Sequence, residues 1–284
     1  MPPRPAPTHF LCIPLAGPQL ARSLAAFRAD VTAADPGTAG YAPATGAAAI
    51  PDRAVRPPGT LHLTLGVMSL RSEAAVTRAV ELLRGMSLGE VLEQARAAAG
   101  VKEPAAQATG GGGVHPSSSS RIGENENRGK GLSVTLRGLS AMQTPANTSV
   151  LYVPPLDPTL VLRRFCEALR TRFIEAGFIV PEERPLLLHA TVVNTIYVRN
   201  GGGGSSSRSS RGGRGGGRGG GGGRGQRERL TVDARDIIDR YEDHVWAEGM
   251  PVEEVRICRM GAKKIQREDG EEDEAYEVEG EITF

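Results

Sequence analysis

Cysteine is scarce: Cys12, Cys166 and Cys258 are the only three in 284 residues. Their odd number, the lack of C-x-x-C spacing and their apolar neighbours exclude a disulfide framework and mark them as small core residues. Long apolar runs are also lacking. None approaches the roughly 20 residues that a spanning helix needs, and the opening Met-Pro-Pro-Arg-Pro has no secretory apolar region. The expectation is a reducing setting, cytoplasmic and/or nuclear, with no membrane contact. Net charge is nearly absent at +1, which excludes a uniformly basic coat for nucleic acid. That average hides two opposed local fields, arginines crowding Arg199 to Arg229 and carboxylates crowding Glu268 to Glu281. H-E-x-x-H is missing, as are the glycine and spacing of a calcium loop, so neither a metal nor another cofactor is expected.

What is present falls into patterned apolar segments separated by stretches too polar to join a core. We read residues 1–284 as one domain with insertions. Residues 34–58 read as a loop rich in Ala, Pro and Gly. Residues 105–130, with a Gly run and a Ser run, and 199–229, the Arg/Gly tract, read as disordered insertions, because they offer too little apolar area to offset chain entropy. Residues 267–275 read as an acidic loop.

Between these lie recognisable elements. THFLCIPL, Thr8 to Leu15, is a short apolar run stopped by prolines and predicts a strand. Leu20, Leu24 and Phe27 at helical spacing predict a helix over Pro18 to Val31. Ser72 is a candidate cap for a helix to about Arg84, and a second follows from Leu88 to Ala98. Strand patterns at Leu132 to Arg137 and Val150 to Val153 precede an amphipathic helix from Asp157 to Ala176, closed by Gly177. A helix from Asp233 to about Asp243 and strands at Val252 to Met260 and Tyr276 to Phe284 complete the chain. Strand, helix, polar-faced strand and helix, then much the same again, predict a duplicated α+β unit with two facing lobes.

Two of the strands carry the chemistry. In TLHLTLGVMSL the residues Leu61, Leu63 and Leu65 fall on one face and His62, Thr64 and Gly66 on the other; in the strand Leu186 to Val193, His189 and Thr191 oppose Leu188, Ala190 and Val192. His-x-Thr on a strand sets an imidazole and a hydroxyl about 7 Å apart on one face, close enough to bind one phosphate together. Phosphodiester cleavage needs a base for the attacking hydroxyl or water and an acid for the leaving oxygen. Histidine can serve as either near neutral pH. His62 and His189 are therefore the candidate acid–base pair, and Thr64 and Thr191 the candidate phosphate-binding hydroxyls. A lone His-x-Thr is commonplace, and it is the repetition in corresponding places that marks these. Tyr197, an even number of residues beyond His189, can stack a base beside a cleft, although a half-buried strand tyrosine is the more ordinary reading. His9, read as lying on an edge strand, His115 and His244 read as structural or incidental.

With HLTL at His62 and HATV at His189, the sequence resembles the LigT-like 2H phosphoesterases, whose hallmark is two His-x-Thr/Ser motifs. HFLCIPL, LHLTLGVMSL, GLSAMQ followed by VLYV, LHATVVNTIYV and EVRICRMGAKK are similar to the eukaryotic branch typified by the A-kinase anchoring protein 2′,5′-phosphodiesterase-like domain. The RNA-ligase-like domain of the activating signal cointegrator subunit is similar too. The resemblance implies a bilobal α+β fold, two pseudo-symmetric antiparallel-sheet lobes with outer helices around a central cleft. It also implies metal-free 2′,5′ or 2′,3′-cyclic phosphodiester chemistry on RNA or oligonucleotides. His62, Thr64, His189 and Thr191 would be its functional residues, in a chain expected to be monomeric. Kinase anchoring is not implied, since no counterpart of the regulatory-subunit-binding helix is evident. The alternative is a noncatalytic RNA-binding or coactivator-type module of the same fold, attached through the flexible cationic tract Arg199 to Arg229, whose R-G-G units could contact RNA nonspecifically.

Overall fold

The computed structural model describes residues 5–32, 50–100, 131–198, 230–266, 270 and 272–284. The insertions expected at 105–130 and 199–229 lie outside these residues, as do 34–49 of the expected loop and 267–269 and 271 of the acidic one.

The alternation in the first two strands dictates how they pack. Strand β1 (His9–Pro14) and strand β2 (His62–Met68) pair antiparallel, with Leu11, Ile13, Leu63, Leu65 and Met68 in the buried core. β1 also pairs with β9 (Glu254–Arg259), so it is an interior strand and not the edge expected for His9. In chain order the remaining strands are β3 (Ser133–Arg137), β4 (Ser140–Ala141), β5 (Val150–Val153), β6 (Pro155–Leu156), β7 (Ala190–Asn194), β8 (Val245–Pro251), β10 (Lys263–Gln266), β11 (Glu272–Ala275) and β12 (Val278–Thr283). Seven strands form one sheet in the order β12-β9-β1-β2-β7-β5-β4. Its two halves, β12-β9-β1-β2 and β7-β5-β4, join at a single residue pair, Leu63 with Ala190. A three-stranded sheet, β6-β3-β8, and the hairpin β10-β11 stand apart.

The helices cover this framework as their apolar spacing requires. Helix α1 (Pro18–Val31) buries Leu20, Leu24, Phe27 and Val31 and packs on β8. Helix α2 (Glu73–Arg84) is capped by the Ser72 hydroxyl, which accepts from the Ala75 amide at 3.2 Å, and packs on β12. Helix α3 (Leu88–Ala98), capped in the same way by Ser87, packs on α4 (Val161–Glu175), which also meets β2. A short helix α5 (Arg235–Arg240) precedes β8. None of the described helices is long and apolar enough to cross a membrane.

Four expectations need correction. Helix α4 begins at Val161 rather than Asp157, because Leu160 adopts a left-handed φ of 61°; the Asp157 carboxylate instead accepts from the amides of Leu162 and Arg163. Residues 50–58 are not a loose loop: Ile50, Ala54, Val55 and Arg56 are buried, and Val55 pairs with Val193. The described acidic residues Glu272–Ala275 form strand β11, where Lys264 of β10 lies 3.2 Å from Glu272 across the hairpin and stabilises the pairing. Strand β8 was not anticipated, since Gly249 at φ 58° and irregular register against β3 break the period-two pattern that would reveal it.

Candidate active site

The single pair Leu63–Ala190 sets the geometry of the site. In an antiparallel pair the register it imposes puts His62 across from Thr191 and Thr64 across from His189, with facing residues about 5 Å apart. All four lie on the face opposite the buried Leu63, Leu65, Ala190 and Val192. Both His-x-Thr motifs are therefore brought together on one surface. β7 begins at Ala190, later than the Leu186 expected, and β2 begins at His62.

The reason is the same at both starts. The Thr60 carbonyl accepts from His62 Nδ1 at 2.7 Å, and the Leu187 carbonyl accepts from His189 Nδ1 at 2.8 Å. Each carbonyl, two residues before its histidine, is used by the ring rather than by a neighbouring strand. A carbonyl only accepts, so each Nδ1 carries a proton and each Nε2 is the ring nitrogen left for chemistry. Neither Nε2 has a partner among the described residues, and the hydroxyls of Thr64 and Thr191 are likewise unengaged.

The two rings sit in different surroundings. His62 is flanked by Phe10 at 4.8 Å and Tyr276 at 5.3 Å between ring centroids, and His189 by Tyr152 at 5.4 Å. Burial lowers the His62 pKa to about 4; the Thr60 carbonyl opposes the shift, and His189 and Arg56 reinforce it. Phe10, Tyr152, Tyr276 and Arg56 escaped the sequence reading. Phe10 and Tyr152 had a usable signal, the polar-face parity of their strands; Arg56 and Tyr276 had none.

The run Arg56-Pro57-Pro58-Gly59-Thr60 delivers His62 to this place. Arg56 donates its amide to the Val192 carbonyl at 2.8 Å, and a single turn of 3-10 helix over Pro58–Thr60 follows. The Gly59 amide donates to the Asp273 carboxylate at 3.2 Å, and a Cβ there would lie 2.6 Å from the Glu274 carbonyl oxygen. Only glycine permits that approach to β11.

Tyr197 is not a strand residue. It ends a 3-10 turn, Thr195–Tyr197, just past β7, is 45% exposed, and has the Arg56 guanidinium 3.9 Å from its ring centroid. The described residues on either side of 199–229 meet at this point, since Thr195 donates its hydroxyl to the Leu230 carbonyl at 2.5 Å. His9 is buried and its Nε2 lies 3.4 Å from Glu279, while His244 packs edge-on against Tyr241 and Trp246. His115 lies outside the described residues. All three cysteines are buried free thiols, with Cys12 and Cys258 3.9 Å apart.

An antiparallel α+β fold whose sheet halves meet at two His-x-Thr strands defines a class, the 2H phosphoesterases. Within it, this chain belongs to the family described as the AKAP7 2′5′ RNA ligase-like domain, whose sequence pattern matches residues 7–284. Among curated proteins it is similar to the uncharacterized protein C15D4.13c of Schizosaccharomyces pombe, 23% identical over 134 residues, covering 47% of this chain and 51% of that protein. The match thus spans about half the length of that relative. Among solved structures it is similar to E. coli LigT complexed with 3′-AMP (TM-score 0.44, 14% identity, 98% of each chain) and to TT0787 of Thermus thermophilus (TM-score 0.42, 12% identity, 97% of each chain).

Proposed function

We propose that this chain is a metal-independent phosphodiesterase that cleaves 2′,5′ linkages or opens 2′,3′-cyclic phosphates of RNA or oligonucleotides. The observation that carries the reading is the matched pair of Nδ1–carbonyl bonds. It holds a proton on each Nδ1 and, among the described residues, leaves two Nε2 atoms and two threonine hydroxyls without partners on one surface. His62, neutral because it is buried, takes the proton from the attacking hydroxyl or water. The new P–O bond forms as the bond to the leaving oxygen breaks, and His189, protonated at Nε2, donates its proton to that oxygen. Thr64 and Thr191 hydrogen-bond the non-bridging oxygens, whose charge is greatest in the transition state. With the roles exchanged, the same two rings serve the second step.

The test is turnover of a panel of 2′,5′-linked, 3′,5′-linked and 2′,3′-cyclic substrates in excess EDTA, with products identified by mass. The expected result is turnover of a 2′,5′ or cyclic substrate that His62→Ala or His189→Ala abolishes. No turnover by the wild-type chain across the panel would overturn the proposal.

A further inference from the structure

Two thiols lie beside His62 and take no part in the chemistry assigned to it. Cys12 of β1 and Cys258 of β9 hold their sulfurs 3.9 Å apart, in a small buried cluster with Phe10 against which Tyr276 packs. We propose that this pair is a redox-modification site, which hydrogen peroxide closes into a reversible disulfide that lowers activity at His62. The effect on turnover rests on the phosphodiesterase reading; the bond itself does not.

Position is the first support. In register, Cys12 lies opposite Arg256 and Cys258 opposite Phe10, so the two cysteines are diagonal neighbours across β1 and β9. Diagonal Cα atoms are about 7–8 Å apart, whereas a disulfide holds them at about 4.4–6.8 Å. Closing the bond therefore draws the strands together by on the order of 1 Å. Strained bonds of this kind are the readily reduced, regulatory ones. Chemistry is the second support. The Cys12 thiol donates to the Cys258 sulfur, which lowers the pKa of Cys258 and raises that of Cys12. One nucleophile and one proton-bearing partner result. The Cys258 thiolate attacks a peroxide oxygen, the O–O bond breaks and hydroxide leaves. The Cys12 sulfur then attacks the Cys258 sulfenic acid, and the Cys12 proton departs with the hydroxyl as water. In balance, two thiols and one hydrogen peroxide give one disulfide and two waters. At only 2% and 4% exposed, Cys12 and Cys258 admit a small oxidant far more readily than a bulky one. Coupling is the third support. Phe10 packs on His62 at 4.8 Å, and Cys12 is paired with Thr64. The register of β1 against β2 shifts between Leu11 and Cys12, so no regular ladder holds Cys12 in place. Movement of β1 therefore reaches both His62 and Thr64.

The full chain is treated with hydrogen peroxide and then with dithiothreitol, and followed by peptide mass mapping, by turnover of a panel substrate and by the imidazole NMR signals of His62. The oxidised wild type should yield peptides joined through Cys12 and Cys258, with the buried Cys166 still open to alkylation after unfolding. Turnover should fall by about tenfold or more, as expected for a displacement of about 1 Å beside reacting groups. The His62 signals should shift, and dithiothreitol should restore both readings, which it would not do after methionine oxidation. Cys12→Ala and Cys258→Ala should each match the reduced wild type in turnover and ignore peroxide. Should a variant fail to fold, reversal by dithiothreitol in the wild type decides alone. No joined peptide, or a loss of turnover that persists in Cys258→Ala, would overturn the site. Joined peptides with shifted His62 signals, in a chain that cleaves no panel substrate even when reduced, leave the site standing and remove the phosphodiesterase. Histidine-dependent turnover that a fully formed bond leaves unchanged keeps the phosphodiesterase and overturns the proposal.

Discussion

Protonating His62 is the perturbation that probes the proposed division of labour most finely. Its pKa is lowered from 6.5 to about 4, chiefly by burial. At about 1.4 kcal/mol per pH unit, that difference corresponds to about 3 kcal/mol of preference for the neutral ring, an upper figure because His62 is only partly buried and solvent screens it. Between pH 4 and 6.5 the unfolded chain then binds more protons than the folded one. The stabilisation from keeping His62 neutral is therefore full above about pH 6.5 and is lost as pH falls towards 4. An NMR titration of the imidazole nitrogens reads this directly. His62 should keep the same neutral tautomer, protonated at Nδ1, from pH 8 down to about 5. Because burial outweighs the nearby charges, Phe10→Ala, which opens the ring to water, should raise the midpoint more than Arg56→Met. A His62 midpoint at or above 6.5 in the wild type, or a larger shift from Arg56→Met, would refute the reasoning.

Three further outcomes follow from particular contacts. Gly59→Ala forces a Cβ against the Glu274 carbonyl oxygen and should cost about 1–3 kcal/mol in urea unfolding, with loss of turnover as His62 is displaced. Thr64→Val and Thr191→Val should each lower kcat and kcat/KM together by about tenfold or more, as expected for hydrogen bonds that strengthen in the transition state; an effect on KM alone would assign them to ground-state binding. Replacing residues 199–229 by a short Gly/Ser linker should leave the fold and cyclic-phosphate turnover intact, because Thr195 and Leu230 already touch. If instead RNA affinity and its salt dependence vanish with the tract, attachment to RNA runs through it.

The strands and helices with a strict apolar period were readable from sequence. Helix α1 and helix α3 have the bounds that their spacing predicts, and the parity of Leu61, Leu63 and Leu65 placed His62 and Thr64 on the face away from the core. What period does not encode was lost. Residues 50–58 contain too few apolar side chains to look structured, yet Val55 and Arg56 are buried, with Val55 paired to Val193 and the Arg56 amide donating to the Val192 carbonyl of β7. The acidic run looked like a loop because like charges repel in isolation; the pairing of Glu272 with Lys264 lies across a hairpin, not along the chain. The two histidines were found because a repeated motif is visible without a fold. Their neighbours Tyr276 and Arg56 come from distant segments, and only folding brings them to the ring.

The central claim is that two imidazoles act on one phosphorus as a unit. The most direct measurement is single-turnover cleavage of one 2′,5′-linked or 2′,3′-cyclic substrate in EDTA by the wild type, His62→Ala, His189→Ala and the double variant. The account predicts that each single substitution removes nearly as much rate as both together. Losses that multiply, or a single variant that keeps most of the rate, would contradict it.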